Sequence, residues 1–408
     1  MYYTAHVMDY LRGMELAISN ALVFDGQGPE LIEATVRVID GVIASVGDEP
    51  PAAGAEVLDA RGGTVVPGLI DAHFHAYATG LDVLAIHATP LSYVALEAAR
   101  RLESALRRGF TTVRDVAGGD PGLSRAIENG LIRAPRYLYT GPALSQTGGH
   151  GDPRPGDADL CAHGEYMTEV VDGIDDLRRA VRERFRRGAH AIKVMTSGGV
   201  VSPSDPIRRP QYSAGEIRAV TEEAERRGSY VAAHAYSPEA IAHSVSGGVR
   251  SIEHGNLLDP PTADLMASHG AYLVPTLAAY EALDRRGAEL GLSPVSQAKN
   301  REVLHAGQQA IRLAREAGVP IGWGSDLMGP LEDHQLHGLR LQVEVEGPLE
   351  TLRSATSVNA ALLRREDLGR IAVGARGDLV IFAGNPIDDP ALLWSADGRT
   401  VIAGGRRI

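Results

Sequence analysis

The chain has 408 residues, 44% hydrophobic and 23% charged, with 47 Gly and 23 Pro, which suits a folded chain with a large core and argues against extended disorder. A formal net charge of −12 argues against a nucleic-acid partner, because such proteins neutralise phosphates with clustered Lys and Arg. The single cysteine, Cys161, excludes an intrachain disulfide, and no apolar run of membrane-spanning length is present.

The start, MYYTAHVMDYLRGMEL, has no basic opening and no continuous apolar stretch, so it does not read as a secretory signal. A cytoplasmic location is the resulting expectation, with no membrane partner. Tyr2, Tyr3 and Tyr10 fit either a frayed end or an arm packed on a neighbouring subunit, and a homo-oligomer is expected. Residues 1–15 are read as an N-terminal extension.

Residues 16–66 read as short strands: Leu16–Phe24, Ala34–Ile39, Val42–Val46 and Val57–Asp59, punctuated by glycines. Residues 371–408 read alike, with strands at Asp378–Phe382 and Thr400–Ile402. Two β-rich ends predict one small domain, a β-sandwich built from both termini. Between them, over 67–370, strand-like runs alternate with helices. The runs are Ile70–His73, Thr111–Val116, Tyr137–Tyr139, Ala191–Met195, Tyr230–Ala235, Ser251–His254, Ala271–Val274 and Pro320–Trp323. Over residues 91–108 apolar side chains recur on one helical face. Ser213 and Glu216 have capping-box spacing, and Ser237-Pro238 opens a further helix. Eight such units predict an α/β fold, a (β/α)8 TIM barrel. The rival, an open doubly wound sheet, lacks a glycine-rich dinucleotide fingerprint. Long loops are predicted at 144–172 and 196–212, and in a barrel such loops surround the active site.

His73 and His75 are two apart, which on a strand points both imidazoles to one face as a chelating pair. Lys193 is read as ending the apolar strand Ala191-Ile192-Lys193-Val194-Met195, where a cation is costly unless compensated. It is either a buried ion-pair or snorkelling lysine, or one whose neutral amine takes up carbon dioxide as a carbamate that bridges two cations. His234, His254 and Asp326 each end a predicted strand, where barrel enzymes place catalysis. Singly each could be a hydrogen-bonded core residue. Together with the HxH pair and Lys193 they form a six-member ligand set.

These motifs resemble the amidohydrolase superfamily, from about residue 16 to the C-terminus. Pro67-Gly68-Leu69-Ile70-Asp71-Ala72-His73-Phe74-His75 is similar to its first-strand signature. Ala355-Thr356, Asn359-Ala360-Ala361, Gly374 and Gly377-Asp378-Leu379-Val380 are similar to its C-terminal pattern. The resemblance implies a two-metal site: His73, His75 and Asp326 on the more buried ion, His234 and His254 on the other, and carboxylated Lys193 between them. Gly148-Gly149-His150-Gly151-Asp152, Lys193-Val194-Met195-Thr196-Ser197-Gly198-Gly199 and His234-Ala235-Tyr236 resemble the prolidase-like and imidazolonepropionase-like branch. Residues 197–206 resemble its ochratoxin-degrading members most.

The implied chemistry is amide hydrolysis by a metal-bridging hydroxide, with Asp326 moving the proton from nucleophile to leaving amine. Imidazole and carboxylate donors favour zinc, with manganese or cobalt as alternatives. By resemblance His150 contacts the substrate or its oxyanion, and Tyr236 binds the substrate's acid end. The leading expectation is cleavage of a dipeptide or N-acyl amino acid with release of the C-terminal amino acid, a small-molecule substrate. Hydrolysis of a cyclic amide, or of a xenobiotic amide or carbamate of the ochratoxin, phenylurea or molinate type, is the second. A non-catalytic barrel scaffold is the third. His334 and His337 could line the pocket. Gln335-Leu336-His337 departs from the Glu-containing pattern of many relatives. His87, His163, His190 and His243 are read as surface or structural, Asp115 as an internal hydrogen-bonding residue, and Cys161 as incidental.

Overall fold

A computed structural model describes residues 15–154 and 166–408. The expectations for Tyr2, Tyr3, Tyr10, Cys161 and His163 fall outside these residues.

Alternating apolar and polar residues at the N-terminal end build β1 (Glu15–Val23), β2 (Ile32–Ile39) and β3 (Val42–Gly47), joined antiparallel in the order β1-β2-β3. β4 (Glu56–Asp59) runs parallel along β1. β5 (Thr64–Pro67), an element the sequence reading does not separate, pairs with β1 on one side and with β15 (Leu379–Phe382) on the other. β16 (Arg399–Ala403) and β17 (Arg406–Arg407) complete one eight-stranded sheet from both ends of the chain. Leu16, Ile18, Val23, Val36, Leu379 and Ile402 form its buried core.

Gly68 carries the chain from β5 directly into β6 (Leu69–Phe74). A Cβ there would lie 2.0 Å from Thr111 Oγ1, so only glycine permits this close crossing. β6 pairs in parallel with β7 (Phe110–Asp115), and β7 with β8 (Arg136–Tyr139). A second parallel sheet runs β10-β9-β11-β12-β13-β14. Its members are β9 (Ala143–Ser145), β10 (Thr168–Val170), β11 (Ile192–Met195), β12 (Val231–Ala235), β13 (Ser251–His254) and β14 (Tyr272–Val274). The segment 144–172, which the sequence presents as one long loop, contains the end of β9 and all of β10, so that expectation is corrected at both of its ends. At the sheet margins His190, just before β11, donates its N–H to Tyr139 O of β8 at 2.7 Å, and β6 meets the segment at 320–326 through Ala72 N to Trp323 O at 3.1 Å and Asp326 N to His73 O at 2.8 Å.

The eighth predicted strand is extended chain rather than a regular ladder: Ile321 makes a single bridge to Leu273. Beside this segment's backbone bonds to β14 and β6, side chains take some of the places that strand partners would occupy. Ser354 Oγ donates to Ile321 O at 2.7 Å, Gln342 Nε2 to Gly322 O at 3.1 Å, and Trp323 N donates to Asn359 Oδ1 at 3.1 Å. Asn359 Nδ2 also donates to Ile70 O and Trp323 O, both at 2.8 Å, so it clamps this segment to β6.

Helices fall where the periodicity places them. Leu91–Arg107 buries Val94, Ala98, Leu102 and Leu106 along one face. Ala214–Glu225 opens with the reciprocal Ser213/Glu216 capping box, and Pro238–Ser246 opens on a Ser237 cap. Among the described residues no helix is long and apolar enough to cross a membrane.

Candidate metal centre and substrate cavity

The carboxyl ends of the parallel strands gather a dense cluster of nitrogen donors. His73 and His75 leave the end of β6, His234 lies in β12, His254 ends β13 and Asp326 ends the extended segment at 320–326. His75 Nε2 is 2.8 Å and His73 Nε2 3.4 Å from the same oxygen, Asp326 Oδ1, while His254 Nδ1 is 3.7 Å from Asp326 Oδ2. Ring centroids stand 5.1 Å apart for His73 and His75, 4.9 Å for His73 and His254, and 4.5 Å for His234 and His254. His254 and Asp326 have φ of 76° and 53°, left-handed values that cost a non-glycine residue energy. Both lie at the turn from strand into loop, where this bend aims the side chain into the cluster.

Lys193 is only 2% exposed and lies in register with Ala232, two residues before the end of β11 rather than at it. Burial lowers its pKa to about 8, against the opposing pull of Glu253 and Asp326. Burial likewise pushes His75 down, and His234 and His254 well below the ordinary imidazole value, which keeps them neutral with a lone pair to offer. For Asp326 burial acts upward, but His73, His75 and His254 outweigh it and hold the carboxyl well below its ordinary value.

This donor set fits divalent cations. His73, His254 and Asp326 each offer a ligand atom within 4.8 Å of one another, and buried His75 Nδ1 has no hydrogen-bond partner. Imidazole nitrogens crowded round a carboxylate are the donors such ions take.

An outer layer fixes these groups. Glu253 Oε2 accepts from His73 Nδ1 at 2.7 Å, and Glu253 Oε1 accepts from Arg114 at 2.7 Å and from Ser251 Oγ. Glu253 and Arg114 are both wholly buried. Arg101 donates to the carbonyls of His75, Leu327 and Gly329, at 3.1, 2.8 and 2.7 Å, binding the two loops that flank the cluster. Thr276 Oγ1 and Tyr280 OH lie 2.8 and 2.9 Å from His254 Nδ1, and Tyr236 OH lies 3.0 Å from Tyr280 OH. Asp115 accepts from Tyr137 OH at 2.6 Å and from the amides of Ala76 and Ala117, the internal role read from the sequence.

Sequence reasoning gives no role to Glu253, Arg114, Arg101, Thr276 or Tyr280. The burial cost that singles out Lys193 applies equally to Glu253 in Ser-Ile-Glu-His and to Arg114 in Thr-Val-Arg-Asp, and would have flagged both.

The cluster floors a cavity of about 540 Å³. His150, Tyr236 and Tyr280 line it beside the ligand candidates, and Leu81, Val83, Val200, Leu283 and Leu292 give it an apolar wall. His150 stacks on His234 at 4.2 Å between centroids, and the Tyr236 ring stacks on His254 at 5.1 Å. Two expectations fail here. His334 and His337 are absent from the lining: His334 pairs with Asp333 at 2.8 Å and His337 with Glu281 at 2.6 Å. Gln335 is buried against Asp71, donating to its Oδ2 at 2.9 Å, so it supports β6 from behind.

Comparison with known proteins matches residues 64–408 to the amidohydrolase family. This chain belongs to the amidohydrolase family. It is 32% identical to the ochratoxinase of Aspergillus niger over 407 residues, 90% of this chain and 81% of that protein. A crystal structure of a prolidase complexed with N-methylphosphonate-L-proline is 43% identical, with a TM-score of 0.94, covering 97% of this chain and 99% of that one. A Xaa-Pro dipeptidase with bound methionine in the active site is 30% identical, with a TM-score of 0.85, covering 97% and 99%. These relatives put this amidohydrolase in the prolidase-like branch, among hydrolases of amide bonds.

Proposed function

We propose that this amidohydrolase is a two-metal enzyme that cleaves the amide bond of a dipeptide or N-acyl amino acid and releases the carboxyl-terminal amino acid. The observation that carries the reading is the convergence of His73, His75 and His254 on Asp326, with His234 beside them, on the floor of a substrate-sized cavity. The named activities of the prolidase and Xaa-Pro dipeptidase relatives support it. In this reading residues 67–370 form a closed (β/α)8 barrel, supported by the backbone bonds across Tyr139/His190 and His73/Asp326, and 16–66 with 371–408 form a β-sandwich.

His73, His75 and Asp326 would hold one cation, His234 and His254 the other, and Lys193, as its carbamate, both. Bound there, the cations polarise the scissile carbonyl and lower the pKa of water. Asp326 accepts the proton of the attacking water at a carboxylate oxygen and returns it to the leaving nitrogen. His150 meets the carbonyl oxygen from the cavity wall, and Tyr236 meets the acid end of the substrate. The apolar wall receives the acyl group and excludes water. That wall, together with the ochratoxinase resemblance, also favours a second reading in which the acyl group is a bulky aromatic one.

The test is a panel of N-acyl amino acids and dipeptides against cyclic amides, scored by free amino acid released, with metal content measured alongside. Lys193→Ala and Asp326→Asn are expected to lose together the activity and the binding of about two ions per chain. Absence of turnover of every acyclic amide by metal-loaded protein overturns the proposal.

A further inference from the structure

The loop after β11 is held by a lysine from a distant part of the chain. Lys299, on the helix Pro294–Val303, sends its Nζ into this loop, donating to Gly199 O at 3.1 Å, to Ser202 O at 2.7 Å and to Asp205 O. An ammonium has three donors, and three carbonyls meet them. The clamp fixes Asp205, which is 3% exposed. Its Oδ2 accepts from Gly199 N at 2.8 Å and lies 3.5 Å from His150 Nδ1, and its Oδ1 is 3.9 Å from Lys299 Nζ. Burial works against this carboxylate, but His150, Ser202 and Lys299 prevail and lower its pKa to about 2.

His150 is wedged in one orientation by its surroundings. One ring face stacks on His234 with an interplanar angle of 19°. A Cβ at Gly199 would lie 2.1 Å from His150 Cε1, so glycine at 199 is what makes room for the ring. His150 N donates to Gln211 Oε1 at 3.0 Å, tying the two loops together. Nδ1 is the buried ring nitrogen, turned to Asp205, while the residue lines the cavity. Nε2 is therefore the nitrogen left for the substrate. At 3.5 Å this contact is longer than a formed hydrogen bond, and Nδ1 has no other hydrogen-bond partner; catalytic contacts that are long without substrate commonly tighten when it binds.

We propose that Asp205 is a positioning residue: held by Lys299, it fixes the ring orientation and tautomer of His150, with the proton on Nδ1 and Nε2 presented to the substrate. This rests on the substrate-contacting role of His150 given above. Nothing in the bare sequence pairs residues 150, 205 and 299, which come from two loops and a helix.

The test reads the pairing and the activity separately. In metal-free protein labelled with ¹⁵N-histidine, the imidazole resonances of His150 are expected to report a single tautomer protonated at Nδ1. Asp205→Asn and Lys299→Met, checked for unchanged melting, are expected to give mixed tautomers. With the metal-loaded enzyme and N-benzoyl-L-phenylalanine or, if the panel above selects it, an alanyl dipeptide, Asp205→Asn is expected to lower kcat about 10- to 100-fold with little change in KM. In a His150→Gln background the same substitution is expected to cost nothing further. Unchanged His150 resonances in Asp205→Asn, or additive losses in the double variant, overturn the inference alone. Wild-type turnover by His150→Gln with the spectral change present overturns instead the substrate role on which it rests.

Discussion

Glu253→Gln tests whether the layer behind the donors sets the chemistry in front. The wild-type carboxylate accepts on both sides, from Arg114 at 2.7 Å and from His73 Nδ1 at 2.7 Å. A glutamine at this position has one accepting and one donating end. Arg114 is permanently a donor, and Ser251 donates to the same oxygen, so the amide oxygen must turn toward them. The amide nitrogen then faces His73 Nδ1, where two donors collide unless His73 moves its proton to Nε2. That nitrogen lies 3.4 Å from Asp326 Oδ1 and is the one directed at the proposed ion, so its lone pair is lost. Loss of such a partner weakens metal binding about 10- to 100-fold. The substitution also leaves the Arg114 charge buried without its counter-ion, at a cost of about 3–5 kcal/mol in stability. Calorimetric titration of metal-free protein with zinc measures the first effect, and urea unfolding in the presence of chelator measures the second. Combining Glu253→Leu with Arg114→Met removes both charges and is expected to recover most of the stability while leaving metal affinity low. A Gln variant that binds zinc like the wild type and unfolds at the same urea concentration would refute the reasoning.

Glu346 provides a pH test of stability. Burial raises its carboxyl from an ordinary 4.5 to about 7, against a hydrogen bond from Gln342 at 2.7 Å; Ser354 Oγ, whose proton goes to Ile321 O, lies 3.0 Å away. The fold prefers the protonated acid, so there is no penalty below the unfolded value. Destabilisation grows as pH rises from 4.5 to 7, then levels off at about 3 kcal/mol. Glu346→Gln keeps a carbonyl oxygen for the Gln342 donor, so its unfolding free energy should exceed the wild type's by that amount at pH 8 and match it near pH 4; a gap that does not vary with pH contradicts the assignment. Gly324→Ala places a Cβ 2.5 Å from His73 Cβ and 2.9 Å from Val274 Cγ1. The overpacking should cost about 1–3 kcal/mol by urea unfolding, and zinc titration should show at least a tenfold loss of affinity, roughly the lower end of what disturbing a ligand's support costs; unchanged zinc binding would show that His73 does not depend on this close contact.

Much of the fold is legible in the chain because period and burial are local properties. The helix Leu91–Arg107 shows its buried face at 3.6-residue spacing, and the Ser213/Glu216 cap is a spacing of three. The segment at 320–326 reads as a strand because its residues are apolar, yet Ile321 O, Gly322 O and Trp323 N are taken by Ser354, Gln342 and Asn359, whose approach no local pattern encodes. His334 and His337 read as pocket residues from their position after that segment. Nearby acids, Asp333 and Glu281, hold them elsewhere.

From sequence alone come the donor types, because imidazoles, a lysine and a carboxylate in apolar strands are expensive and so conspicuous. Tertiary structure alone decides which nitrogen of each ring faces the cavity. That choice depends on a partner atom on another strand or loop: Glu253 behind His73, Thr276 and Tyr280 beside His254, and Asp205 against His150. Such partners are tens to hundreds of residues away along the chain and meet their histidines only when strand register and loop packing are set.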